Sequence, residues 1–190
     1  MLRLILASAS PRRRELLTNA GIEFEVIPSE IEEPGPSGAP PAAYAERVAQ
    51  LKAETVARTF APTYRAVVLG ADTVVVAGGE LLGKPRSAEE ARAMLEKLSG
   101  REHQVITGVA LVNAAGRSAL AHETTRVQFR EVTAEEVAEY IASGEPFGKA
   151  GAYAIQGRAS RFVTRIEGCY FNVMGLPVAL VDRLLRQWKV

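Results

Sequence analysis

The chain has 190 residues, 47% of them hydrophobic, one cysteine, and 23 Lys and Arg against 22 Asp and Glu, a formal net charge of +1. Those figures exclude a disordered chain, which lacks the apolar residues for a core, and a disulfide scaffold. They also exclude a nucleic-acid coat, which needs a marked basic excess. The length suits one domain over 1–190, or one domain with two lobes. No stretch approaches the ~18 apolar residues that span a bilayer. Residues 4–9 are apolar, but Pro11 and Arg12, Arg13 and Arg14 follow at once. A secretory signal carries its positive charge before a longer apolar run, so the expectation is a soluble, cytoplasmic protein.

The first apolar run, L-R-L-I-L-A at 2–7, reads as a buried strand. A helix is expected over 12–20, with Ser10 as N-cap, Pro11 at the first helical position and Gly21 past the end. Residues 24–27 read as a second strand. The segment 32–41 holds four prolines and reads as a stiff loop. A long helical pattern over 42–60 puts Tyr44, Val48, Leu51, Thr55 and Val56 on one side. Two strand-like runs, 66–69 and 74–76, flank Gly70-Ala71-Asp72-Thr73. Residues 87–98 read as a helix with a capping box of Ser87 and Glu90, followed by Gly100. Strands are expected at 104–112 and 119–129 across a turn at 113–116, then a helix over 133–143 capped by Thr133 and Glu136. Residues 153–156, 162–166 and 169–173 are short strand candidates, and a last helix covers 177–188. The irregular alternation points to an α/β protein with a mixed sheet.

Four segments could carry chemistry. Ser8-Ala9-Ser10-Pro11-Arg12-Arg13 places small hydroxyl residues between a strand and a helix start, where outward N–H groups and the helix dipole suit a phosphate. Arginines in a first turn oppose the dipole, and an anion would supply their reason; otherwise they are solvated. Asp72, read at a strand end between valines, would be partly desolvated and so a better general base. A turn Asp bonding its own backbone is the commoner fate of such a residue. Residues 78–85 match G-x-x-x-x-G-K, but Pro85 stands where a P-loop needs Ser or Thr, and it lacks an N–H for phosphate. A hairpin turn fits the glycines better. Lys84, beside a rigid Lys-Pro step, is either a phosphate ligand or a surface lysine. The small residues around 144–157 allow close backbone approach to a ligand, and Gln156 offers donor and acceptor atoms for a base edge; a tightly packed turn is the plainer alternative.

His103 and His122 share no metal-ligand spacing with Cys169, which reads as a buried small hydrophobe. No G-x-S-x-G elbow occurs, and 6% aromatic residues are too few for a single-strand stacking platform.

Taken together, the segments resemble the Maf family of nucleoside triphosphate pyrophosphatases. The matches are L-A-S-A-S-P-R-R at 6–13, E-E at Glu32 and Glu33, L-K-A around Lys52, G-A-D-T at 70–73 and G-K-P-R at 83–86. They continue with L-S-G at 98–100, G-E-P-F-G-K-A-G-A-Y-A-I-Q-G at 144–157 and G-L-P at 175–177, in order over nearly the whole chain. The resemblance implies a mixed, twisted sheet with flanking helices and two lobes around a central cleft, as in inosine triphosphate pyrophosphatases, often as a homodimer. It implies hydrolysis of a nucleoside triphosphate to the monophosphate and pyrophosphate with Mg²⁺ or Mn²⁺. Asp72 matches the catalytic acid that activates water. Ser8, Arg12, Arg13, Lys52 and Lys84 match positions that hold the triphosphate, and Glu33 matches an acidic position near the metal. Arg12, Thr73 and Gln156 look like the set of the dTTP/UTP-preferring subgroup. The implied cellular role is nucleotide-pool clearance and arrest of cell division, with no stable nucleic-acid or membrane partner. The alternatives are a pyrophosphatase for 7-methyl-GTP or other non-standard nucleotides, and a non-enzymatic nucleotide-binding regulator of septum formation.

Overall fold

In the computed structural model, which describes residues 2–36 and 38–190, the first apolar run forms strand β1 (Arg3–Leu6). Helix α1 (Pro11–Asn19) follows, with the Ser10 side chain accepting the Arg13 N–H and Pro11 opening the first turn. Strand β2 (Glu25–Val26) is shorter than expected. The loop over 32–41 is irregular except that Pro41 already belongs to helix α2 (Pro41–Ala57); Ser37 lies outside the described residues.

Helix α2 corrects one expectation. Its buried face is Ala45, Val48, Ala49, Ala53, Val56 and Ala57, whereas Thr55 is exposed and turns its hydroxyl to the Leu51 carbonyl. Small side chains let the helix lie almost on the sheet. A Cβ at Gly70 would run into the Ala49 carbonyl oxygen, and one at Gly108 into the Ala45 backbone. Gly70 is therefore no turn residue. Strand β3 (Ala66–Ala77) runs unbroken through 70–73, so Asp72 lies mid-strand and not at a strand end. The two expected runs are one strand because the glycine between them serves helix–sheet approach.

Beyond β3, Gly78 and Gly79 both have positive φ, as a tight hairpin turn requires, and β4 (Glu80–Leu82) pairs back antiparallel with Val75 opposite Leu82. Helix α3 (Ala88–Leu98) starts at Ser87, whose side chain accepts the Glu90 N–H; the Glu90 carboxylate takes the Arg86 N–H, so the capping box is only half formed. Strands β5 (Glu102–Val112) and β6 (Ser118–Phe129) follow, then α4 (Ala134–Ala142), whose Thr133–Glu136 box is complete.

Two strand candidates fail. Residues 153–156 form no strand and lead into a turn at 155–157, because Gly151 and Ala152 before them take left-handed backbone and the Ala154 N–H goes to the Tyr140 hydroxyl. Strand β7 (Val163–Glu167) ends at Gly168 (φ 125), and residues 169–173 start helix α5 (Tyr170–Met174). That turn buries Asn172, whose amide donates to the Val105 carbonyl and the Thr125 hydroxyl, a demand that an alternating strand would not meet. Cys169 is half-exposed and not buried. Helix α6 (Val178–Trp188) closes the chain.

The strands form a seven-stranded sheet in the order β2-β1-β3-β5-β6-β7, with β4 on β3. It is mixed: β1 is parallel to β2 and β3, whereas β6 and β7 are antiparallel. The chain divides into two compact units. The first (Met1–Thr73, Thr107–Glu123, Gly175–Val190) has an aliphatic core of Ile5, Ala49, Ala53, Val68 and Ala110. The second (Val74–Ile106, Thr124–Met174) centres on rings, with Phe129 edge-on to His103 and Tyr153, and Tyr140 edge-on to Phe162. Among the described residues, no helix is long and apolar enough to cross a membrane.

Candidate active site

The close seat of α2 on the sheet decides where Lys52 goes. Its ammonium lies 2.7 Å from Asp72 Oδ1 on β3 and 2.7 Å from Glu33 Oε1 in the proline loop. The Asp72 side chain is 9% exposed, that of Lys52 12%, and that of Glu33 40%. Tyr44, about two turns of α2 before Lys52, donates its hydroxyl to the Pro34 carbonyl at 2.9 Å and so ties the loop beside Glu33 to the helix that carries Lys52. Burial raises the Tyr44 pKa, and the negative charges of Asp72 and Glu33 raise it further.

A second cluster in the same unit surrounds Arg13. The residue is 9% exposed, and its guanidinium donates to the Gly175 carbonyl (2.8 Å), Ser8 Oγ (3.2 Å) and Thr73 Oγ1 (3.2 Å). Thr73 Oγ1 also lies 2.9 Å from Thr107 Oγ1. Ser8 Oγ accepts the Ser10 N–H at 3.3 Å. Burial lowers the Arg13 pKa, Asp72 opposes that, and Arg12 adds to it. One fork thus joins the turn before α1, mid-β3 and the Gly-Leu-Pro segment before α6. Arg12 is half-buried and Arg14 exposed.

Ser8, Arg13, Glu33, Lys52, Asp72 and Thr73 are therefore brought together in networks of the first unit. Lys84 and Gln156 belong to the second, where both are exposed. Their segments are joined there: the Gly151 N–H donates to the Gly83 carbonyl at 3.0 Å. Sequence reasoning missed Tyr44 and Thr107, whose part is to hold other site residues; neither type nor spacing signals that. The Gly175 carbonyl was foreshadowed only by G-L-P.

The site's chemistry is that of hard oxygen donors and fixed cations. Two carboxylates, Glu33 and Asp72, already converge on one positive charge. Among the described residues no group of three or more His, Cys, Asp and Glu side chains forms a metal cage. A carboxylate pair fits an ion of the Mg²⁺ type, which takes one or two protein carboxylates and completes its shell with phosphate and water.

A family model described as Maf-like protein matches residues 3–188. A protein of Pelotomaculum thermopropionicum named dTTP/UTP pyrophosphatase is 47% identical over 189 residues, covering 99% of this chain and 97% of the relative. One of Moorella thermoacetica with the same name is 52% identical over 186 residues, covering 97% and 94%. The solved Staphylococcus aureus Ham1 protein is 16% identical with a TM-score of 0.55, covering 97% of this chain and 98% of that one, and shares the fold.

Proposed function

We propose a function from one premise: the chain belongs to the Maf family. It is a nucleoside triphosphate diphosphatase that hydrolyses dTTP and UTP to the nucleoside monophosphate and pyrophosphate, as the names of its relatives support. The observation that carries this reading is the pair of carboxylates, Glu33 and Asp72, each 2.7 Å from the Lys52 ammonium.

Asp72 orients a water and takes its proton as the water oxygen attacks the α-phosphorus in line. The bond from that phosphorus to the bridging oxygen breaks, and pyrophosphate leaves. Arg12, Arg13, Lys52 and Lys84 meet its charge, with Ser8 donating from the turn before α1. Glu33 and Asp72 would hold a divalent cation, Mg²⁺ or Mn²⁺, which would supply further charge neutralisation. Arg12, Thr73 and Gln156 set the base preference; the Gln156 carboxamide pairs with the O4 and N3–H edge that uracil and thymine share. The family resemblance supports a cytoplasmic homodimer with no stable nucleic-acid or membrane partner.

A panel of dTTP, UTP, CTP, 7-methyl-GTP and purine triphosphates, incubated with Mg²⁺ or Mn²⁺ and scored for pyrophosphate, tests the reading. Pyrophosphate is expected from dTTP and UTP first. Orthophosphate as the product, or tight binding without turnover, would overturn it.

A further inference from the structure

Gln156 stands exposed on a turn, yet reading a base edge by hydrogen bonds needs a carboxamide held in place. Its segment is an uncommon one. Gly151 (φ 69) and Ala152 (φ 59) both take left-handed backbone, which for alanine is strained and persists only where the surroundings enforce it.

Those surroundings are a connected chain of bonds on both sides of Gln156. Before it, the Ala154 N–H donates to the Tyr140 hydroxyl at 3.2 Å, and that hydroxyl donates to Glu145 Oε1 at 2.8 Å. After it, Glu145 Oε2 accepts the Arg158 N–H at 3.1 Å. Between the two, the Gly157 N–H closes on the Ala154 carbonyl at 3.0 Å, and the bare α-carbon of Gly157 rests on the Glu145 carboxylate, where a Cβ would collide. Tyr140 is itself fixed, 1% exposed and edge-on to Phe162 at 5.5 Å. One residue before Ala154, the Tyr153 hydroxyl lies 2.8 Å from His103 Nε2, which pins the same segment from the β5 side.

We propose that Tyr140 and Glu145 are positioning residues that present Gln156 to the base, setting pyrimidine preference without touching substrate. The proposal rests on the reading of Gln156 given above. Burial works to raise the Glu145 pKa, but hydrogen bonds from the Arg158 N–H and the Tyr140 hydroxyl bring it below the usual carboxylate range, so at neutral pH the strut accepts as a carboxylate.

The test compares kcat and KM on UTP and CTP for the wild type, Gln156→Ala, Tyr140→Phe, Glu145→Gln and the pair Gln156→Ala/Glu145→Gln. Loss of one positioning hydrogen bond is expected to cut the preference for UTP about fivefold, through KM for UTP, with kcat changed less than about twofold. Once Gln156 is absent, Glu145→Gln is expected to change the preference no further, which a general loss of structure would not mimic. If Tyr140→Phe does not fold, the half-exposed Glu145→Gln decides alone. A folded Glu145→Gln with wild-type preference, beside a Gln156→Ala that has lost it, overturns the strut and leaves the reading of Gln156 intact. A preference that survives Gln156→Ala, or is absent from the wild type, overturns that reading and the strut with it.

Discussion

Arg13 and His103 show how differently buried polar residues are kept. Arg13 stays charged because Ser8, Thr73 and the Gly175 carbonyl accept its fork and Asp72 lies near enough to favour the cation. His103, 2% exposed, is kept neutral: burial pushes its pKa from 6.5 down to about 4, only partly opposed by the Arg101 backbone. The unfolded chain therefore binds a proton at His103 that the folded chain refuses between those values. The stability tied to its neutrality is complete above about pH 6.5 and is lost as the pH falls toward 4, a difference on the order of 3 kcal/mol. Urea midpoints taken from pH 7 to pH 4 are expected to fall less in His103→Gln than in the wild type. Parallel slopes would contradict this. That three arginines follow Pro11 was plain in the sequence, but not that Arg13 turns inward, since two of its three partners lie at 73 and 175 and no local spacing reaches them.

At the scale of elements, the seat of α2 on β3 places Lys52 against Asp72, and it depends on alanines facing glycines. Gly70→Ala would put a methyl group into the Ala49 carbonyl, and the helix backbone cannot give way as a side-chain tip can. Gly78, in the hairpin turn with φ 57, has open space around its α-carbon. Gly78→Ala is expected to cost about 1–2 kcal/mol of backbone strain. Gly70→Ala is expected to cost about 3 kcal/mol or more of overpacking, and to lower turnover by moving Lys52. Equal urea midpoints for the two variants would refute the ordering. The hairpin was legible because Gly-Gly between apolar runs has a local cause. The role of Gly70 was not, because a glycine that admits a neighbouring helix looks in sequence like one that makes a turn. A different ambiguity, that of a short apolar run, hid α5, which buries Asn172 against Val105 and Thr125.

For the whole molecule, the mixed sheet and most of its elements were readable from periodicity and caps, and two lobes were expected from length and the family resemblance, whereas the course of the chain through the two units was not. Neither unit is one stretch of chain, and β3, β5 and β6 each give residues to both. A chain so interleaved is expected to unfold in one step. Fluorescence of Trp188, which is buried in the first unit under the Arg117 guanidinium, should lose signal in urea together with far-UV circular dichroism. Separate midpoints would show the units unfolding independently. The net charge of +1 conceals a local arrangement in which Lys52 lies between two acids and Arg13 is buried among neutral oxygens.

In the proposed reaction Asp72 activates water for attack on a nucleoside triphosphate. Its most direct test is kcat on dTTP for Asp72→Asn, a change that keeps the shape of the side chain and removes the base. A fall of about 10²–10⁴-fold with an unchanged circular dichroism spectrum is expected. A folded Asp72→Asn that turns over dTTP at near the wild-type rate would contradict it.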